Sequence, residues 1–332
     1  MADSRSGFAQ YTFDAKVRLQ ALSVRSTAPV RMLAHAACRV LSPLARIAGE
    51  DSPVTATVYG KLLSMPAKHP LPATMAIFPQ HNRPLGLAAK ALSQLKISQT
   101  SLAAIDVGAN IGDTVALIEQ HSPNNWHYLC IEPDRANAEF CIANHAGNNR
   151  VSVEQVFIGE DEGAAVWLQE DGRANPTTKR DIPIAAPTQS RAGKLVRLDT
   201  AAAPFSMNHG VDLIKVDTEG YDFHVLRSGP ILLNKFRPAL YFELFPAMLR
   251  EAADSVQAGF DYLAGLGYLH FVFFTNQGDL YCTATSPDPT FLRALDSVTM
   301  RNPALPYFDV FASTRKDVCD SLVIENIESL KR

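Results

Sequence analysis

The chain has 332 residues, 47% of them hydrophobic and 20% charged, with a net charge of -3. This apolar content suffices for one large core, or one core plus an accessory region, and it excludes general disorder. The mildly negative balance offers no basic footprint for nucleic acid as a main partner.

Five cysteines (Cys38, Cys130, Cys141, Cys282 and Cys319) are scattered without a CxxC pair. That argues against a disulfide framework or a structural zinc site, and for reduced thiols in a cytoplasm. No uncharged apolar run reaches the ~18 residues of a membrane span, so no transmembrane segment is expected. The N-terminus also lacks the apolar stretch of a signal peptide. Charge is uneven: residues 1–48 carry seven basic side chains against Asp3 and Asp14.

From the start, residues 11–48 have helical punctuation. Val30, Leu33, Ala37, Leu41 and Leu44 recur at spacings of three and four, and Pro43 ends or kinks the helix. An accessory helix with its arginines in water is the plain reading; a lid, a membrane-surface helix or a homodimer contact is the functional one. The expected domains are a helical extension over 1–52 and an α/β domain over 53–320, with its core at 101–315.

A short strand is predicted at Val54–Tyr59, then an irregular stretch with His69 and His81, then a helix around Leu87–Leu95. Strand and helix alternate after that. Strands are expected at Ala103–Val107, Trp126–Ile131, Val151–Ile158, Leu213–Val216 and Leu240–Leu244. Helices are expected at Asp113–His121, Asp134–His145 and Asp222–Arg227. This order implies a mostly parallel sheet with helices on both faces. Turn formers crowd 170–194, which predicts a flap or hairpin. Later strands are expected at Leu269–Thr275, Leu280–Thr283 and Tyr307–Ala312.

The informative segment runs from Ala104 to Asp113. An apolar strand reaches Asp106, and a small-residue turn through Gly108, Ala109, Asn110 and Gly112 opens a helix at Asp113. Gly108 clears space where a ligand approaches the backbone, and Gly112 lets helix and strand pass closely. The helix N-terminus suits an anionic group. A dinucleotide fold would want a glycine where Asn110 stands. The next strand ends at Glu132-Pro133-Asp134, where an acid can accept from both ribose hydroxyls. Together these indicate a nucleoside site, with the adenine near Val156 and Phe157; Phe157 is equally suited to a core.

These elements resemble the FkbM family of methyltransferases. The matching segments are IDVGANIGD (105–113), IEPD (131–134), IGEDEG (158–163), VRLDT (196–200), LIKVDTEGYDFHVLRSG (213–229) and ALYFEL (239–244). The resemblance covers roughly 54–315. It implies a Rossmann-like class I methyltransferase with a seven-stranded sheet, S-adenosylmethionine as cofactor, and methylation of a hydroxyl on a sugar, glycan or polyketide-like small molecule. The family often has a glutamate where this chain has Asp222.

Methyl transfer to an alcohol calls for positioning and for a proton acceptor or a metal. Asp217, at the end of Leu213–Val216, and Glu219 stand where open α/β sheets bind ligands. They are candidate bases. With Glu243 they are also a candidate oxygen-ligand set for a divalent cation, although no metal is assigned. The plainer alternative has Asp217 orienting the ligand's ammonium and Glu219 capping the next helix. Lys215, mid-strand, needs a carboxylate partner, Asp217 or Glu243. Among histidines, His81 and His69 are candidate bases, followed by His224. Two further alternatives stay open: a protein that binds S-adenosylmethionine without turnover, and an N-methyltransferase. A nicotinamide-dependent dehydrogenase is the residual option. Specificity is expected to reside in 54–100 and 165–200.

Overall fold

The computed structural model describes residues 2–25, 33–34, 37–38, 49–96, 101–123, 125–169, 177–179 and 191–331. These fall into two compact units, Met1–His81 and Asn82–Arg332. The division lies beyond the boundary at 52 expected from composition.

In the first unit, a helix Ala2–Arg25 begins earlier than the helical pattern suggested. Of the apolar stripe, Val30, Leu41 and Leu44 lie outside the described residues, as does Pro43, and Leu33 is exposed. The predicted strand is β1 (Pro53–Val58), and it pairs antiparallel with an unforeseen β2 (Lys61–Pro66). Tyr59 and Gly60 join them at φ 47° and 75°, the left-handed pair that a two-residue hairpin requires. The side-chain amide of Gln10 then acts as a short extra strand: Nε2 donates to Thr55 O at 2.9 Å, and Oε1 accepts from Thr55 N at 2.8 Å. The stretch read as irregular holds a helix, Leu71–Ile77, with proline in its first turn.

The second unit opens with the helix Arg83–Leu95 and is built on β3 (Leu102–Val107), β4 (Trp126–Ile131), β5 (Val151–Glu154), β10 (Leu213–Val216), β11 (Ala239–Leu244), β12 (His270–Thr275), β13 (Leu280–Thr285) and β14 (Phe308–Ser313). Between β5 and β10 come β6 (Phe157–Ile158), β7 (Ala165–Gln169), β8 (Thr177–Lys179) and β9 (Arg191–Val196). The main sheet runs β13-β12-β14-β11-β10-β3-β4-β5, with the five strands from β11 to β5 parallel. β14 enters antiparallel between β11 and β12. The sheet has eight strands rather than seven, because β13 folds back on β12 as a hairpin and extends the edge.

β3 is buried along its whole length, as expected of a central strand covered on both faces. The strand expected over 151–158 is two strands. β5 ends the main sheet, and β6 joins a second, four-stranded sheet, β6-β9-β7-β8. Its small core is Phe157, Val166, Leu168 and Leu195. The segment 170–194 lies largely outside the described residues; its described part, β8, pairs antiparallel with β7. No helix among the described residues is long and apolar enough to cross a membrane.

Register partners share a sheet face, so the two faces can be read from the pairing. One face carries Ile105, Ile214, Leu240 and Phe271, then Val107, Val216, Phe242 and Phe273, all in one core with Phe223, Phe260 and Phe308. The other carries Cys130, Asp106, Lys215, Tyr241 and Phe311 side by side. A charged row thus crosses the sheet near the carboxyl ends of its parallel strands.

Candidate active site

The turn after β3 is held open by three left-handed residues, Gly108 (φ 80°), Asn110 (φ 48°) and Gly112 (φ 81°). Asparagine is among the few side chains that tolerate this region. Asn110, which the sequence marks as a missing glycine, still serves as a turn residue. Both glycines also make room for the protein itself. A Cβ on Gly108 would lie 2.0 Å from Asp217 O, so the small residue lets the β10 turn close against the β3 turn. A Cβ on Gly112 would meet His145 Nε2 at 2.7 Å and Cys141 Sγ at 2.8 Å, so its close neighbour is the region around helix Arg135–Asn144.

Lys215 ties these turns together. Its Nζ lies 2.9 Å from Asp106 Oδ1 and 3.5 Å from Asp217 Oδ2, and it donates to Gly108 O at 2.9 Å. Burial disfavours the ammonium, but Asp106 and then Asp217 outweigh it and push its pKa up. Asp106, rather than Glu243, is its nearest carboxylate. Asp106 is itself buried, 3% exposed, so its reach toward a ligand runs through Lys215. Asp217 is the open member of this group, with 46% of its side chain exposed.

Glu132 stands at the tip of β4 with both oxygens fixed: Oε2 accepts from Asn110 N at 2.8 Å and Oε1 from Asp134 N at 2.9 Å. Burial pushes its pKa up to about 7 against these two donors. Asp134 caps the following helix through Ala136 N and Asn137 N. Ala109 is buried, its N–H bonded to Ile131 O at 3.1 Å. Asp113 opens helix Asp113–His121, and burial raises it to about 6.

A cavity joins Gly108, Pro133, Val156 and Phe157 to Ile158, Gly159, Val166, Leu195, Thr218, Tyr221 and His224. Four residues singled out in the sequence on three strand ends thus line one predominantly apolar slot. Phe157 lines the slot and also packs in the small core. The contributions of β7 and β9 were not legible, since nothing local tells an apolar strand residue which sheet it joins.

His224 is anchored: Nδ1 lies 2.6 Å from Glu160 Oε1 and Nε2 3.1 Å from Ala252 O. Arg227 completes the network with Glu160 and Asp254. Both ring nitrogens are engaged, which suits a fixed wall better than a base. His69 and His81 belong to the first unit, where His81 N donates to Phe78 O at 3.0 Å; the site is built from the second.

Glu219 sits at φ 53° before Gly220 and does not cap helix Asp222–Arg227, which has no side-chain cap. The acid that organises this turn is Asp222, fully buried. Its Oδ2 accepts from Thr218 N and Oγ1, and its Oδ1 accepts from Glu243 N at 3.1 Å. Burial, then Asp217, raises it to about 7. Glu243 faces Asp309 of β14 across the sheet. Among the described residues no three histidine, cysteine or acidic side chains are placed to hold a metal ion, so Asp217, Glu219 and Glu243 do not form a cation cage. Asp309 escaped sequence reading, although an acid inside Phe308-Asp309-Val310-Phe311 is the signal that could have found it.

The methyltransferase FkbM domain model matches residues 106–269, from the buried acid of β3 to the start of β12. No curated protein sequence matches the chain. Among solved structures, the chain is similar to methyltransferase FkbM from Methylobacillus flagellatus KT, with 14% identity and a TM-score of 0.41 over 89% of this chain and 58% of that one. It is also similar to the METTL16 MTase domain (12%, 0.37, 70% and 66%). The plantazolicin methyltransferase BpumL, solved with a monoazolic desmethylPZN analog and SAH, gives 10%, 0.36, 92% and 99%. The chain therefore spans little more than half the length of the Methylobacillus protein. These structural likenesses are too distant to carry weight, and the assignment rests on the domain model with the motifs it spans. By that match residues 106–269 form an FkbM methyltransferase domain.

Proposed function

We propose that this protein is an S-adenosylmethionine-dependent O-methyltransferase acting on a hydroxyl of a sugar, glycan or polyketide-like small molecule. The observation that carries this reading is the slot itself. Gly108, Pro133, Val156 and Phe157, from the ends of three successive strands, line a single apolar cavity beside the fixed carboxylate of Glu132. An apolar lining at the strand ends suits an adenine ring, and Glu132 has further lone pairs for a ribose diol. The turn from Gly108 to Asp113 would face the amino-acid end. When bound, S-adenosylmethionine supplies a methyl group made electrophilic by its sulfonium.

The remaining chemistry belongs to the chain. Asp217, exposed at the end of β10 and positioned by Lys215 from 3.5 Å, accepts the hydroxyl proton as the oxygen–methyl bond forms and the methyl–sulfur bond breaks. Glu219 is the second candidate for that proton. General-base assistance of this kind contributes about 10²–10⁴ in rate. Cys130, Cys141, Cys282 and Cys319 form no disulfide among the described residues, which fits action in a reducing compartment such as the cytoplasm.

The test is incubation with labelled S-adenosylmethionine and extracted glycans and small molecules, followed by mass spectrometry. A labelled methyl ether is expected. In Asp217→Asn, affinity for S-adenosylhomocysteine should persist while the rate falls about 10²–10⁴-fold. A rate within a few-fold of the unsubstituted protein would remove Asp217 from the mechanism.

A further inference from the structure

Beside the proposed donor site, the charged face of the sheet ends in a buried carboxyl pair, one oxygen of which the protein leaves unmatched. Tyr241 and Glu243 alternate along β11 onto one face, and Asp309 of β14 is the cross-strand partner of Glu243. Asp309 is only 8% exposed. Its Oδ2, Glu243 Oε2 and the Tyr241 hydroxyl are closed to solvent; the Tyr241 hydroxyl lies against Asp309, and Glu243 Oε2 has no hydrogen-bond partner among the described residues. Buried polar atoms without partners are rare and costly.

The surroundings are acidic. Asp217, Asp222 and Glu219 all oppose ionisation of Glu243. Lys215, the cation of this row, is already held by Asp106, Asp217 and Gly108 O. Burial and then Asp217 push Asp309 up to about 8, and burial pushes Glu243 well above the carboxylate range. Without a ligand, then, this carboxyl pair retains a proton at neutral pH.

We propose that the Glu243–Asp309 pair seats a protonated amine carried by the methyl acceptor, so that the acceptor is an amino alcohol or amino sugar rather than a neutral polyol. An ammonium brings three donors, enough for Glu243, Asp309 and the Tyr241 oxygen. A neutral hydroxyl brings one. On seating the ammonium, the pair ionises and releases its proton to solvent, so charge balances. The proposal rests on the methyltransferase reading for what the acceptor undergoes. The amine subsite itself can be tested without turnover.

The experiment is calorimetry at pH 7 with ethanolamine and with ethylene glycol, on the protein with and without S-adenosylhomocysteine, in two buffers of different ionisation enthalpy. Ethanolamine should bind at least about tenfold tighter than the glycol, with proton release visible as a buffer-dependent heat. Glu243→Gln and Asp309→Asn should each abolish that preference; circular dichroism checks their folding, and either variant suffices. Equal binding, no binding of either probe, or a preference that survives the substitutions overturns the proposal. A preference for ethanolamine in a protein that fails to bind S-adenosylhomocysteine would keep the amine subsite and remove the methyltransferase reading.

Discussion

The two faces of the central sheet solve opposite problems with the same strands. On one, Phe223, Phe242, Phe260, Phe271 and Phe273 pack as tilted, edge-on and stacked rings. Gly259 leaves room for Phe223, whose ring atoms would lie 2.2 Å from an added Cβ. Burial of apolar area holds that face, and its details are exchangeable among side chains of similar volume. On the other, Asp106, Lys215 and Tyr241 sit in one register row, with Glu243 and Asp309 two residues along their strands. A buried ion pair contributes little net stability once desolvation is counted. What the charged row provides is position: it fixes the Gly108 and Asp217 turns on which the proposed chemistry depends. The lesson is that stability and function are divided between faces rather than between domains.

The sharpest way to break this contrast is a pair of truncations. Phe273→Ala should cost about 3–5 kcal/mol of unfolding free energy while leaving S-adenosylhomocysteine affinity of the folded fraction unchanged. Lys215→Ala should cost a similar ~3–5 kcal/mol by stranding Asp106, and should also weaken that affinity. Denaturant titration with calorimetry reads both, and equal effects on affinity would erase the distinction between faces.

Gly108→Ala comes next. Its left-handed φ alone costs about 1–3 kcal/mol, and the clash with Asp217 O forces the two turns apart. Affinity for S-adenosylhomocysteine should fall more than stability does. For Glu132→Gln, a loss of about 1.5–3 kcal/mol in that affinity is expected, with little change in melting temperature; unchanged affinity would take Glu132 out of the nucleoside site.

A last contrast is in pH. Asp309 in the fold titrates at about 8, against about 3.9 for an aspartate in the unfolded chain. A raised carboxyl stabilises the fold fully below about pH 4, and that contribution is lost as pH rises through about 8. Stability of the ligand-free protein should therefore decline across this window, and Asp309→Asn should flatten the decline. A slope unaltered by the substitution would mean that Asp309 is ionised throughout.

Legibility followed locality. β3, β4, β10 and β11, the helices Asp113–His121 and Asp222–Arg227, and the Gly108–Gly112 turn were readable because apolar runs and turn residues are properties of neighbouring positions. The β1–β2 hairpin escapes the sequence reading although Tyr59-Gly60 marks it, because the stretch after Tyr59 reads as irregular. The strand over 151–158 was joined wrongly because the chain changes sheets at Gln155 and Val156 without any proline or glycine to announce it.

Sequence alone thus determined the class of the fold and the succession of strands and helices along its parallel part, and it marked the acids and glycines of the proposed nucleoside turn, since each is encoded within a dozen consecutive residues. Only the tertiary structure decided that Lys215 chooses Asp106, that Gly108 is small for the sake of Asp217, and that Asp309 stands opposite Glu243. Those pairings depend on strand register and on which face a side chain takes, and both are set by contacts between segments about a hundred residues apart.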